Sequence, residues 1–142
     1  MNNAKDIFQK HQAQTFPYAS CLEIKSAQGS YITDVNQKKY LDFVAGVSAC
    51  TLGHTNPIIK DAINKKLKKY THVMVYGEYI QAPQYKLAKL LAKNLPKKLS
   101  TSYFTNSGTE AIEGAIKLAK RATGRSEIIS CKNSYHGSTQ GA

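Results

Sequence analysis

The chain has 142 residues, of which 42% are hydrophobic and 20% are charged. This composition is typical of one globular domain and excludes a disordered, collagenous or membrane-spanning chain. The 20 lysines and arginines stand against 9 acidic residues, and the formal net charge of +11 makes an acidic ligand or partner a hypothesis to consider.

Two further features narrow the class of protein. Three widely spaced cysteines form neither a disulfide framework nor the paired ligands of a zinc site, so no metal is expected. Residues 1–10 contain no apolar stretch, which predicts that the chain has neither a signal peptide nor a membrane anchor. We therefore expect a reduced, cytoplasmic protein.

The N-terminal third of the chain is predicted to form a small antiparallel β-meander. Three runs rich in β-forming residues lie at 22–25, 29–33 and 40–43, and a turn-like stretch at 36–38 separates the last two. A loop rich in small residues follows at 46–54. Such a loop lets a backbone approach a ligand closely, although most loops of this kind are plain connectors.

Two amphipathic helices are predicted next. Asn56 and Pro57 are typical of a helix start, and apolar residues then recur at helical spacing to about Tyr70. A second helix fits residues 82–94, with Pro83 in its first turn. Lysines line the outer faces of both helices.

Residues 102–131 are predicted to form a βαβ unit, which gives the chain an α/β fold class. Two runs of β-forming residues, at 102–105 and 127–131, flank a strong helical pattern. The two strands should be parallel and joined by a right-handed crossover.

The helix of this unit has well-marked ends. Ser107 and Glu110 have the spacing of a capping box at its start, and Gly124 is a typical glycine stop. Glu113 and Lys117 are spaced as an i,i+4 ion pair on the helix surface.

A ligand site is expected outside the carboxyl ends of the two strands, where the loops 106–109 and 132–137 should be neighbours. The first loop offers free backbone N–H groups and hydroxyls at a helix N-terminus, which suits a phosphate. The second loop adds an aromatic ring and an imidazole, so the pair suits a flat phosphorylated ligand, either a nucleotide or pyridoxal phosphate. No dinucleotide or P-loop glycine pattern is present. The candidate residues are Ser107, Gly108, Thr109, Tyr135 and His136.

Four linked motifs make the identification more specific. They are Leu-Gly-His-Thr-Asn-Pro at 52–57, Thr-Asn-Ser-Gly-Thr-Glu-Ala at 105–111, Thr-Gly-Arg at 123–125 and Tyr-His-Gly at 135–137. In this order and spacing, the chain resembles the N-terminal part of class III pyridoxal-phosphate aminotransferases, the group of acetylornithine, ornithine and 4-aminobutyrate aminotransferases. The resemblance covers residues 18–142. It implies the three-layer α/β/α architecture of fold-type I enzymes, pyridoxal phosphate as cofactor, and a homodimer with shared active sites.

The resemblance also implies roles for the candidate residues in the two loops. Ser107, Gly108 and Thr109 would bind the cofactor phosphate at the helix N-terminus. Tyr135 would stack on the pyridine ring, with His136 beside it. These implied roles agree with the site that the loops themselves suggest.

Substrate contacts are implied for the 46–49 loop through Val47 and Ser48, and residues 76–81 would lie near the dimer interface. Two positions depart from the family pattern. Ser138 stands where the acetylornithine and 4-aminobutyrate enzymes tend to have a carboxylate-binding arginine. Val47 stands where the ornithine enzyme has a tyrosine. The substrates are therefore expected to be an amino acid or ω-amino compound and a 2-oxo acid, without closer identification.

The family's catalytic groups are expected outside this sequence. The lysine that forms a Schiff base with the cofactor, and the aspartate that protonates the pyridine nitrogen, follow far beyond the Tyr-His-Gly motif in the family. No lysine of this chain matches that position, so we expect an N-terminal fragment that is inactive alone. Residues 1–55 are expected to belong to the small domain, and 56–142 to begin the large cofactor-binding domain.

Three alternatives remain open at this point. Glutamate-1-semialdehyde aminomutase shares the Ser-Gly-Thr-Glu-Ala and Tyr-His-Gly motifs, although Glu113 favours a transaminase. The chain could also be a regulatory or structural remnant, or a basic module that binds nucleic acid through its first lysine-rich helix. No aromatic residues interleave these lysines for base stacking, which makes the last reading the weaker one. The lysines concerned are Lys60, Lys65, Lys66, Lys68 and Lys69.

Overall fold

The computed structural model describes residues 3–142. Met1 and Asn2 lie outside the described residues. They begin the predicted 1–55 segment and also residues 1–10, in which no signal peptide or membrane anchor is predicted. The chain divides into a first unit that extends to Val73 and a second unit from Met74 to Ala142. No helix in the described part of the chain is long and apolar enough to cross a membrane. In chain order, the elements are α1 (Ala4–His11), β1 (Ile24–Gln28), β2 (Tyr31–Asp34), β3 (Lys39–Leu41), α2 (Ala45–Ser48), α3 (Pro57–Leu67), α4 (Ala82–Asn94) and α5 (Gly108–Thr123).

The predicted antiparallel meander is confirmed. Strand β1 pairs with β2, and β2 pairs with β3, so that Ile32 lies opposite both Ala27 and Tyr40. The register of the first pair shifts between Ile24 and Ser26, as in a β-bulge.

The β2–β3 turn is organised by Asp34, which is only 5% exposed. Its carboxylate accepts hydrogen bonds from the backbone N–H of Lys38 and from the hydroxyl of Tyr40, both at 2.9 Å. Burial alone would raise the pKa of Asp34, but these hydrogen bonds outweigh it and hold the pKa below its ordinary value. Gln37 takes a positive φ of 67° at the tip of this turn.

The three long helices form where the sequence predicts them. Asn56 caps α3, accepting the N–H groups of Ile58 and Ile59 at 3.0 and 3.4 Å. Helix α4 has the predicted limits, and α5 ends at Gly124, whose φ of 69° is the left-handed conformation of a glycine stop.

The paired strands of the predicted βαβ unit are absent from the described residues. Segments 102–105 and 127–131 flank α5 as predicted, but neither forms a backbone ladder with the other or with another part of residues 3–142. β-Forming side chains favour an extended backbone, but a β-strand also requires a second strand with which its backbone can pair. Strands that follow each other in the sequence of a parallel sheet need not be adjacent in that sheet. Ile129 in the second segment is accordingly 99% exposed.

Apolar side chains are at most partly buried among the described residues. No hydrophobic side chain of residues 3–142 is fully buried, and large apolar side chains on α3, α4 and the loops are exposed. Local hydrogen bonds, caps and turns contribute to the order within each unit.

Candidate cofactor site and substrate loop

The N-terminus of α5 forms a cradle of backbone donors. Ser107 is extended, with φ −152° and ψ 162°, and its Oγ accepts the N–H of Glu110 at 3.3 Å. The Glu110 carboxylate in turn accepts the N–H of Asn106 at 2.8 Å, one residue earlier than in a standard capping box. Within residues 3–142, the N–H groups of Gly108 and Thr109 have no acceptor. They are free to bind an anion, which the positive end of the helix dipole also favours.

The second predicted loop packs against this cradle, so the prediction that the two loops are neighbours is confirmed. The hydroxyls of Thr109 and Thr139 are hydrogen-bonded, with their Oγ1 atoms 2.7 Å apart. Gly137 lies so close to the helix that an added Cβ would collide with the Thr109 side chain and would stand 2.9 Å from its Cα. Its φ of 145° also disfavours any other residue at this position.

Glu113 connects the same loop to the second turn of α5. Its Oε1 accepts the N–H of Gly141 at 2.9 Å. The nearby Thr139 hydroxyl, followed by the Gly141 N–H, lowers the pKa of Glu113 below its ordinary value. The predicted ion pair with Lys117 does not form among the described residues, because the loop occupies the carboxylate instead. Lys117 adds only a weaker Coulombic attraction.

Tyr135 and His136 present their side chains to solvent in this loop. The Tyr135 side chain is 80% exposed, and its hydroxyl is hydrogen-bonded to Ser138 Oγ at 2.9 Å. His136 is exposed and forms no side-chain hydrogen bond with any described residue. A ring held at its hydroxyl end and open on its faces is suited to stacking on another flat ring. Within residues 3–142, no group of three or more His, Cys, Asp or Glu side chains is arranged to hold a metal ion.

The predicted substrate loop lies in the first unit and has an unusual backbone. All four residues of α2 have positive φ, so this element is a left-handed turn rather than an ordinary helix. Val47 has φ 57° and ψ 55°, a conformation that is strained for a β-branched residue, and its side chain is 86% exposed. Ser48 follows with φ 65°.

Asp42 holds the start of this turn. Its Oδ1 accepts the N–H groups of Val44 and Ala45, both at 3.0 Å, and its Oδ2 lies 2.7 Å from His54 Nε2. The bond to His54 is the main reason that the pKa of Asp42 lies below its ordinary value, and the N–H of Ala45 adds to it. Asp42 was not among the predicted site residues, although it lies close before the loop in the sequence.

His54 is itself fixed to the meander. Its backbone N–H donates to the carbonyl of Gly29 at 2.8 Å, and its carbonyl accepts the Gly29 N–H at 3.0 Å. Gly53 makes this close approach possible, since an added Cβ would lie 3.2 Å from the Gly29 Cα. Thr55 adds a 2.7 Å hydrogen bond from its hydroxyl to the carbonyl of Ala27. The motif at 52–57 thus joins the meander to α3.

Comparison with known proteins identifies the family. Residues 12–142 match the family described as Aminotransferase class-III. Acetylornithine aminotransferase of Archaeoglobus fulgidus is 38% identical over 133 residues, which cover 94% of this chain and 34% of that protein. Acetylornithine aminotransferase of Bacillus amyloliquefaciens is 41% identical over 118 residues, or 83% of this chain and 50% of that protein.

Solved structures agree with the sequence relatives. Adenosylmethionine-8-amino-7-oxononanoate aminotransferase from Methanocaldococcus jannaschii superimposes with a TM-score of 0.87 at 29% identity, over 95% of this chain and 33% of that one. Taurine:2-oxoglutarate aminotransferase from Bifidobacterium kashiwanohense, in complex with PLP and glutamate, gives a TM-score of 0.82 at 32% identity, over 94% of this chain and 30% of that one. The chain thus spans about a third of the length of most of these relatives.

These findings bear on three predictions made from the sequence. The α/β fold class is confirmed, because the structural neighbours are fold-type I transaminases and the meander with its helices fits an incomplete domain of that type. Pyridoxal phosphate as the cofactor is supported by the family and by the PLP-bound neighbour. From residue 12 to residue 142, the chain belongs to the class-III aminotransferase family.

Proposed function

We propose that this chain forms the cofactor-phosphate cradle and the ring-stacking loop of a pyridoxal-phosphate-dependent aminotransferase. The enzyme would transfer an amino group from an amino acid or ω-amino compound to a 2-oxo acid. The observation that carries the proposal is the contact between two loops. The free N–H groups of Gly108 and Thr109 lie at the N-terminus of α5, and the loop that bears Tyr135 packs against the same turn.

The residues of the second unit fit the parts of the cofactor. The Gly108 and Thr109 N–H groups would donate to the phosphate, and the Ser107 hydroxyl proton is available because only its oxygen is engaged, as acceptor from Glu110. Tyr135 would cover the pyridine ring, with His136 beside it. When bound, the ring withdraws electrons from the reacting substrate carbon. This chain's own residues bind and orient the cofactor, and none of its lysines is proposed as catalytic.

Val47 and Ser48 are proposed to contact the substrate. Support comes from the strained left-handed turn, since backbone strain persists where the surrounding structure maintains it and often marks a functional site. The dimer interface near residues 76–81, the domain boundary at 55/56 and the cytoplasmic location stay predictions.

The proposal is tested by titrating the 142-residue chain with pyridoxamine 5′-phosphate. This probe has the phosphate and ring of the cofactor but lacks the aldehyde, which would react with the many surface lysines. We expect the amide NMR signals of Gly108 and Thr109 and the ring signals of Tyr135 to shift. Inorganic phosphate should move the two amides but leave the Tyr135 ring unaffected.

Two variants make the test specific. Ser107→Ala removes a hydroxyl donor and the helix cap, so it should weaken binding of both probes, whereas Ser126→Ala changes an exposed serine outside the two loops and should have no effect. Absence of shifts at Gly108 and Thr109 at millimolar probe, or shifts spread evenly over the lysines, would contradict the proposal.

A further inference from the structure

Glu113 and Thr109 lie four residues apart on α5 and therefore share one face of the helix. Both are half-buried, and both contact the same segment of the following loop. Thr109 is hydrogen-bonded to Thr139, and Glu113 is hydrogen-bonded to the Gly141 amide. Two hydrogen bonds thus fasten residues 139–141 to the first two turns of the helix.

Two glycines allow the loop to lie directly against the helix. An added Cβ at Gly137 would collide with Thr109, and an added Cβ at Gly141 would crowd the Glu113 carboxylate. Tyr135 and His136 immediately precede Gly137. The Tyr135 hydroxyl is also hydrogen-bonded to Ser138, the residue that precedes Thr139. The Tyr135 ring is therefore connected to the segment that contacts α5.

We propose that Glu113 is a positioning residue for the cofactor ring. Through the Gly141 amide, and alongside the Thr109–Thr139 hydrogen bond, it holds the 135–141 loop on α5 and so fixes the Tyr135 ring relative to the phosphate cradle at Gly108 and Thr109. The proposal rests on the proposed function, because it concerns the same cofactor site. It assigns binding of the phosphate and positioning of the ring to different residues. A residue that acts in this way affects ring binding without touching the cofactor.

The test compares two ligands on the full 142-residue chain. Glu113→Gln should weaken binding of pyridoxamine 5′-phosphate about tenfold, because a neutral amide oxygen is a weaker acceptor for the Gly141 N–H than a carboxylate. Binding of inorganic phosphate should stay within about twofold, because the cradle N–H groups are unchanged. Removal of a negative charge near the site would by itself strengthen anion binding, so weaker binding cannot arise from charge alone.

Further variants separate positioning from general damage. Thr139→Val removes the hydroxyl at nearly constant shape and should reproduce the loss, Thr139→Ser should restore binding, and the Glu113→Gln/Thr139→Val pair should be no worse than either change alone. Glu127→Gln removes the same charge from an exposed position and should have no effect. The contact between Tyr135 ring protons and the probe, seen by NMR, should weaken only in the Glu113 and Thr139 variants.

Three results would overturn the proposal. If Glu113→Gln binds both ligands like the unmodified chain, Glu113 does not position the ring. If it weakens both ligands equally, Glu113 acts on the cradle or on folding. If the unmodified chain fails to bind pyridoxamine 5′-phosphate, the proposed function itself fails and this role fails with it. Failure of the proposed function can be told from failure of the Glu113 role alone, because it is seen in the unmodified chain before any substitution is made.

Discussion

Asp42 and His54 form a close pair, with Asp42 Oδ2 2.7 Å from His54 Nε2, while the other oxygen of Asp42 caps the left-handed turn at Val44 and Ala45. One carboxylate thus joins the turn that carries Val47 to the motif at 52–57. Since His54 is bonded through its backbone to Gly29, the turn is tied to the meander as well. The hydrogen bonds of Asp42 to Val44 and Ala45 thus help to maintain the strained backbone at Val47.

The Asp42 pair predicts a loss of local order in acid. The pKa of Asp42 is lowered first by His54 and then by the backbone N–H of Ala45. A carboxyl whose folded pKa is depressed stabilises the fold above its unfolded pKa of about 4, and this stabilisation is lost as the pH falls through the lower folded value. The amide NMR signals of Val44 and Ala45 should therefore leave their folded positions below about pH 4. In Asp42→Asn, they should be displaced already at pH 7 and show no such titration.

Asp34 provides the matched control for this experiment. Its pKa is also lowered, but it caps the β2–β3 turn through Lys38 and Tyr40. Asp34→Asn should disturb the signals of that turn and leave the acid transition at Val44 and Ala45 in place. Equal acid sensitivity of these two amides in Asp42→Asn and in the unmodified chain would show that Asp42 does not hold the turn.

The left-handed turn predicts a stabilising substitution. A non-glycine residue in this conformation destabilises the folded state by about 1–2 kcal/mol. Glycine avoids this strain, but it loses more backbone entropy on folding, which costs about 0.5–1 kcal/mol. Val47 is largely exposed, so Val47→Gly removes little packing and should stabilise the turn by up to about 1 kcal/mol. Urea unfolding followed at the amide signals of β1 to β3 measures the change.

Val44 is the control for this substitution because it lies in the same loop with an ordinary right-handed backbone, φ −79° and ψ −35°. Val44→Gly should destabilise by about 0.5–1 kcal/mol, opposite in sign to the change at Val47. Destabilisation by both substitutions would mean that the turn carries no strain. If Val47 contacts substrate as proposed, the strain is retained there for function.

Gly137 predicts the largest effect of a single added methyl group. Gly137→Ala brings a Cβ into the Thr109 side chain at a φ of 145°, so the loop should detach from α5 and the amide of Gly141 should lose its protection from hydrogen exchange. Gly124→Ala is the control, because Gly124 also has a positive φ but an added Cβ there would contact no other atom. This substitution should destabilise only the C-terminal end of α5, by about 1 kcal/mol. Retained protection at Gly141 in Gly137→Ala would contradict the close packing of the loop.

Local signals account for the parts of the fold that the sequence predicts well. Asn56 with Pro57, and Ser107 with Gly124, mark helix ends through caps that depend on neighbouring residues alone. Helix α1 was missed, although Asn3 accepts the N–H of Asp6 at 2.8 Å in an ordinary cap. The short polar segment shows too little apolar periodicity to reveal a helix.

Non-local contacts explain what the sequence does not reveal. The predicted strands at 102–105 and 127–131 lack a pairing neighbour in the described chain, and no local pattern specifies one. Glu113 was assigned to Lys117 by helix spacing, but Gly141, 28 residues away, takes its carboxylate. Ser107, Gly108 and Thr109 could be predicted as phosphate-binding candidates because they share one short motif with the helix cap. Asp42 was missed because its partner His54 is twelve residues distant.

The lysines in and just after α3 predict salt-dependent, site-independent attraction to nucleic acid rather than a binding site. Lys66 lies over the Tyr70 ring and is half-buried, and Lys60 is exposed earlier on the helix. Lys65, Lys68 and Lys69 are exposed at its C-terminal end. Replacing these three by glutamine should weaken retardation of DNA at low salt no more than replacing three exposed lysines of α4, because net charge alone governs such binding. Both effects should weaken steeply towards 0.15 M salt, an ionic strength at which the Debye length is about 8 Å. Loss of binding confined to the α3 variant, with a clearly smaller salt slope, would instead identify a nucleic-acid surface on that helix. The matched lysines of α4 are Lys86, Lys89 and Lys93.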